Sequence, residues 1–210
     1  MKMVKPEISG LYAITPDEAD TSKLLTQVKL ALEGGTRWVQ YRNKSAGQKL
    51  RLQQAQALAI LCRQSGAVLI INDDIKLAQA CCADGVHLGL QDMAIAAARR
   101  ELGTDKIIGA SCYDQFPLAQ RAAAEGADYI AFGSFYPSAV KPATARPAAE
   151  LLRAAKTKLK LPVVAIGGVN LQNAVALIAA GADAVAVISA LFGAADIKTA
   201  AGKFNNLFIP

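Results

Sequence analysis

The sequence predicts an α/β chain folded as one (β/α)8 TIM barrel spanning residues 1–210. Three observations point there. Short apolar runs of strand length recur eight times: Leu11–Thr15, Trp38–Arg42, Val68–Asn72, Val86–Gly89, Ile107–Ser111, Tyr129–Gly133, Val163–Gly167 and Ala184–Ser189. Ala/Leu/Gln-rich stretches of helical period, such as Gly47–Gln64 and Leu171–Ala180, lie between them. Near-continuous apolar strands that alternate with helices describe a parallel sheet covered by helices. Third, a related turn precedes the second, fourth, sixth and eighth strands: Glu33-Gly34-Gly35-Thr36, Cys82-Ala83-Asp84-Gly85, Glu125-Gly126-Ala127-Asp128 and Ala180-Gly181-Ala182-Asp183. Glycine there ends a helix in the left-handed cap conformation. A two-strand repeat suits a barrel whose interior layers come from alternate strands.

Composition narrows the class. A length of 210 residues with 53% hydrophobic content describes one domain with ample core material. Cys62, Cys81, Cys82 and Cys112 show no C-x-x-C spacing, so a zinc or thioredoxin-like motif is excluded, and free thiols fit the reducing cytoplasm. The first residues, Met1 to Glu7, lack the apolar segment of a signal peptide. Ala174 to Ala195 is apolar but contains Gly181 and Asp183, which favours a helix followed by a strand over a membrane span. The net charge of +6 is not gathered into a nucleic-acid patch: Lys156-Thr157-Lys158-Leu159-Lys160 reads as a solvated helix end. Anionic small substrates account for the charge equally well. Neither a nucleic acid nor a membrane is therefore an expected partner, and oligomeric state is open.

Active sites of such barrels lie at the C-terminal ends of the strands. The second strand ends Gln40-Tyr41-Arg42-Asn43-Lys44, and alternation places Gln40, Arg42 and Lys44 on one side. The third releases Asn72 and Asp73, the fourth leads to Asp92, and the fifth ends at Ser111. The sixth opens into a long loop carrying Ser138, Ala139, Val140 and Lys141. The seventh ends in Gly167-Gly168, where a phosphate can approach the backbone, and the eighth in Ile188-Ser189 ahead of a helix start that supplies N–H donors. Asp73 and Asp92 on one rim suit Mg²⁺, a hard cation that takes oxygen ligands and commonly a substrate phosphate. Either Asp alone reads equally well as a helix cap; the pair favours the metal. Arg42, Lys44 and Lys141 beside it would stabilise the charge of a departing diphosphate, and those three are the expected catalytic cations. His87, the one histidine, lies within the fourth strand among apolar residues and reads as a hydrogen-bonded structural group.

Taken together these motifs resemble thiamine-phosphate synthase over nearly the whole chain: Gln40-x-Arg42-x-Lys44, Ile71-Asn72-Asp73, Gly85-Val86-His87-Leu88-Gly89 with Asp92, Gly133 through Lys141, and Ala165-Ile166-Gly167-Gly168. The resemblance implies a Mg²⁺-dependent transferase of thiamine biosynthesis. It would join a hydroxymethylpyrimidine diphosphate to a hydroxyethylthiazole phosphate by a dissociative substitution that releases diphosphate first. By the same resemblance, Gln40, Tyr41, Arg42, Asn43 and Lys44 with Asn72, Ser111 and Lys141 would hold the pyrimidine diphosphate. Asp73 and Asp92 would bind Mg²⁺. Ser138, Ala139, Val140, Gly168, Ile188 and Ser189 would hold the thiazole phosphate. The family loop commonly reads Thr-x-Thr-Lys; here Ser138 keeps a hydroxyl and Val140 does not, so a hydrogen bond there must come from backbone or elsewhere. Two alternatives share the fold. A thiazole tautomerase would carry a catalytic histidine after the fifth strand, where this chain has Ser111-Cys112-Tyr113. A non-catalytic thiazole-phosphate-binding regulator would not need the diphosphate clamp.

Overall fold

The computed structural model describes residues 5–137 and 149–209. Eight parallel strands close in sequence order: β1 (Gly10–Ile14), β2 (Trp38–Tyr41), β3 (Val68–Asn72), β4 (Gly85–Leu88), β5 (Ile107–Tyr113), β6 (Tyr129–Phe132), β7 (Val163–Ile166) and β8 (Ala184–Val187), with β8 pairing back onto β1. The helices are α1 (Thr21–Glu33), α2 (Gln48–Gln64), α3 (Ile75–Ala80), α4 (Ile95–Leu102), α5 (Phe116–Ala124), α6 (Ala149–Leu159), α7 (Leu171–Ala179), the one-turn α8 (Ser189–Phe192) and α9 (Ile197–Asn206). The barrel expected from the apolar runs is present.

Strand bounds differ in one instructive place. β5 was expected to end at Ser111 but runs to Tyr113, with a register shift against β6 between Ser111 and Tyr113. Tyr113 takes a φ of 53°, in the left-handed region. A bulge at a barrel rim re-aims the following side chain, and Tyr113 accordingly lines the mouth.

Alternation divides the core in two. Leu69, Ile71, Val86, Leu88, Ile108, Ala110, Val185 and Val187 point outward into the helix layer. Tyr12, Ile14, Trp38, Ile70, Ile107, Tyr129, Ala131, Val164, Ala184 and Ala186 fill the interior. The interior is lopsided. Tyr12, Trp38 and Tyr129 pack edge to face with centroids 5.9–6.3 Å apart, while β8 contributes only Ala184 and Ala186. Gly109 on β5 makes room for this cluster, since a Cβ there would lie 2.0 Å from the Tyr129 ring.

The repeated turn has a structural reason. Asp84, Asp128 and Asp183 each stand just before an even strand, and each carboxylate accepts a backbone N–H from the odd strand before it. The donors are Leu69 at 2.8 Å, Ile108 at 2.7 Å and Val163 at 2.8 Å. The backbone N–H of each Asp returns a bond to the carbonyl of that same residue. The turn before β2 ends in Thr36-Arg37 with no Asp, and Asn205 of α9 takes the Leu11 N–H instead, at 3.1 Å. Truncating one clasp strands a strand-end N–H at the closed end of the barrel. Asp183→Ala should therefore destabilise the fold by about 2 kcal/mol, read as a lower urea midpoint at unchanged slope, and should leave the opposite rim's chemistry intact.

Candidate active site

A cavity of about 520 Å³ opens at the C-terminal ends of the strands. That volume lies in the range of small-molecule sites. A second cavity of about 360 Å³ adjoins it between the loops after β2 and β3. Arg42, Lys44, Asn72 and Asp73 line both.

The two carboxylates do meet. The Asp73 and Asp92 carboxyls lie close enough that Asp92 raises the ionisation of Asp73. Burial first, and then the proximity of Asp92, push the Asp73 carboxyl up to about 6; Lys44 and the Asn72 amide oppose that rise. Lys44 Nζ stands 4.0 Å from Asp73 Oδ2.

The cap alternative is settled by the neighbours. Asp74, not Asp73, caps α3, its Oδ1 accepting the Leu77 N–H at 2.9 Å. The cap residue of α4 is Ala94, which makes no side-chain bond. Asp92 instead accepts the Gly89 N–H at 2.7 Å, which fixes it over the end of β4. Asp73 holds a φ of 63°, a conformation that Asp and Asn tolerate better than most residues.

The second-strand motif divides by alternation. Gln40 is buried inside the barrel and its amide donates to the Tyr12 hydroxyl at 2.9 Å. Arg42 lies half-buried at the rim, 3.3 Å from Asp17, and Lys44 is exposed there. Tyr41 and Asn43 line the adjoining smaller cavity, and their polar groups are tied to the loop behind it. The Tyr41 hydroxyl donates to Gln54 Oε1 at 2.8 Å, and the Asn43 amide donates to the same oxygen at 3.0 Å and to the Glu18 carbonyl at 2.7 Å. Odd positions on β2 face the helix layer, so these two brace the loop.

On the far side, Gly168, Ile188 and Ser189 line the larger cavity. Gly168 has a φ of 62°, and a Cβ there would sit 2.5 Å from the Pro137 carbonyl oxygen; the glycine is required by chain packing as well as by access to backbone. Ser189 opens α8, whose cap residue is Ile188. Ser111 is half-buried in the same cavity and bonds His87 Nε2 at 2.9 Å. Ser138, Ala139, Val140 and Lys141 lie outside the described residues.

The sequence reading passed over Thr15 and Asp17. Thr15 Oγ1 accepts the Arg42 N–H and donates to the Arg42 carbonyl, both at 2.9 Å. Asp17 accepts from the Lys44 N–H at 2.8 Å and pairs with the Arg42 guanidinium. Their signal was available: Ile14-Thr15-Pro16-Asp17 is a strand end on the same rim. Tyr113 was missed because the bulge that turns it inward leaves no mark in the pattern.

A (β/α)8 barrel with a dicarboxylate and cationic side chains on one wall of its mouth, and glycine backbone with a short helix on the other, is a phosphate-ester barrel. A family model described as thiamine monophosphate synthase matches residues 11–191. The chain is 56% identical to a thiamine-phosphate synthase of Methylobacillus flagellatus, with 97% of each chain covered. It is 52% identical to one of Nitrosospira multiformis, covering 96% of this chain and 86% of that one. Among solved structures it superposes on a thiamine phosphate pyrophosphorylase from Pyrococcus furiosus with a TM-score of 0.84 at 36% identity, over 95% of both chains. The chain belongs to the thiamine monophosphate synthase family.

Proposed function

We propose that the chain is a thiamine-phosphate synthase, which couples hydroxymethylpyrimidine diphosphate with hydroxyethylthiazole phosphate and releases diphosphate. The observation that carries this reading is the meeting of Asp73 with Asp92 beside Lys44 on one wall of a cavity whose other wall is Gly168, Ile188 and Ser189. One wall suits a metal-bound diphosphate and the other a phosphate monoester.

The residues present fit Mg²⁺. Two like charges forced together in a half-buried setting are oxygen ligands whose repulsion a hard dication cancels. Among the described residues no third His, Cys, Asp or Glu joins them, so phosphate oxygens and water would complete the shell. Bound there, the cation would supply charge neutralisation of the leaving diphosphate.

The chain's own groups do the rest. Arg42, held at the rim by Asp17, and Lys44 neutralise diphosphate oxygens as the bond to the pyrimidine methylene carbon breaks. Gln40 and Ser111 face the ring from within the barrel. Backbone N–H groups at the start of α8 hold the thiazole phosphate, so that the thiazole nitrogen meets the methylene carbon as the diphosphate leaves. The motif assigns Lys141 to the same diphosphate.

Incubation with both substrates and Mg²⁺ should yield thiamine phosphate and diphosphate in equal amounts. Chelation of the metal should lower the rate by about 100-fold or more, and added Mg²⁺ should restore it. Absence of product at saturating substrate and Mg²⁺ would sink the reading.

A further inference from the structure

A continuous hydrogen-bonded chain crosses the barrel interior beneath the cavity. The Gln40 amide donates to Tyr12 Oη at 2.9 Å. Tyr12 Oη meets Tyr129 Oη at 2.8 Å, Tyr129 Oη meets His87 Nδ1 at 3.0 Å, and His87 Nε2 meets Ser111 Oγ at 2.9 Å. Burial holds both phenols protonated, by pushing their ionisation well above the usual tyrosine range. Burial likewise keeps the imidazole neutral, its ionisation lowered to about 4. The chain is therefore made of neutral groups, each tyrosine and the histidine with one proton to give.

Such a chain has one direction once an end is fixed. The Gln40 amide donates to the Tyr12 oxygen and, among the described residues, the Tyr12 proton has no acceptor except Tyr129 Oη, so it goes there. The Tyr129 proton then goes to Nδ1 of His87. A neutral imidazole that accepts at Nδ1 carries its proton on Nε2, which points at Ser111. Ser111 thus accepts from below, and among the described residues its own proton has no other acceptor. That proton is left for the cavity.

We propose that Tyr12, Tyr129 and His87 are positioning residues that act through Ser111, aiming its hydroxyl proton at the cavity and so favouring a ligand with a lone-pair acceptor, such as an unprotonated ring nitrogen, at that point of the mouth. A ligand that offers only an N–H there leaves the Ser111 proton without an acceptor and is disfavoured. The inference rests on the proposed reading that Ser111 faces the pyrimidine substrate, but its physical core is testable on the ligand-free protein.

His87 is the only histidine in the sequence, so a long-range ¹H–¹⁵N spectrum of the imidazole reads its tautomer without assignment. The wild-type protein near neutral pH should show Nε2 protonated and Nδ1 bare. Tyr129→Phe, which keeps the packed ring, should give a mixture of tautomers. Ser111→Ala should keep the wild-type tautomer, because the direction is set from the Gln40 end. In the two-substrate assay, Tyr129→Phe and Ser111→Ala should each lower kcat/KM for the pyrimidine diphosphate by about tenfold, the scale of one hydrogen bond. The double variant should be no worse than Ser111→Ala, because Tyr129 acts through that serine. A proton on Nδ1 in the wild type, or losses that multiply in the double variant, would overturn the proposal. Loss of the functional reading would be seen separately, as a wild-type protein that forms no thiamine phosphate while its imidazole still carries the proton on Nε2.

Discussion

Asp73→Asn should abolish most of the activity while leaving the fold as stable as before, or more so. Asn keeps the shape and tolerates the positive φ of 63° at this position. It removes one of two carboxylates that crowd each other, the reason Asp73 is pushed up to about 6. The sign follows from linkage. With the folded value raised above the ordinary 3.8, the metal-free folded state binds more protons than the unfolded chain between about pH 4 and 6. Stability from this group is full below pH 4 and is lost as pH rises through 6. With 36% of the Asp73 side chain exposed, solvent screening reduces the effect to about 1 kcal/mol. At pH 7.5 without metal, the variant should therefore unfold at an equal or higher urea concentration than wild type. Its turnover should fall by about 100-fold or more, and Mg²⁺, expected to raise the melting temperature of the wild type, should no longer do so. Wild-type turnover, or undiminished stabilisation by Mg²⁺, would remove Asp73 from its assigned role.

The largest pH effect should come from His87 and run the other way. Its folded value is lowered to about 4 from an ordinary 6.5, chiefly by burial. Below pH 6.5 the unfolded chain takes up a proton that the folded protein refuses, so stability from this group is complete above 6.5 and is lost as pH falls through 4. A shift of that size corresponds to roughly 3 kcal/mol. Urea unfolding from pH 7 down to 4 should show that loss, partly offset between 4 and 6 by the opposite slope from Asp73. His87→Asn, weaker at pH 7, should be flatter across the same range. The imidazole resonance of this single histidine should stay in its neutral position to about pH 5; titration near 6.5 would show that the barrel interior admits water around it.

Much of the barrel could be read from the chain because its signal is local. An apolar run of strand length, a helical period and a glycine stop need no knowledge of distant residues, and alternation alone put Gln40, Arg42 and Lys44 on one side. The same rule turns Tyr41 and Asn43 to the other side, where both meet Gln54 of α2. Strand ends named Asp73, Asp92, Arg42, Lys44 and Ser111, because in parallel barrels every strand delivers its last residue to one rim.

What the chain alone left open were choices between partners. Asp73 and Asp74 are adjacent and chemically identical, and only the path of the turn into α3 makes one a cap and the other the neighbour of Asp92. Tyr113 enters the mouth through a bulge that has no period. His87 reads as one histidine among apolar residues; its partners Tyr129 and Ser111 lie 42 and 24 positions away and arrive through barrel closure. Sequence determined which groups reach the rim, because delivery follows a short-range repeat. Tertiary structure decided which of them touch, because hydrogen bonds and carboxylate repulsion act over a few ångströms between segments that only the closed sheet brings together.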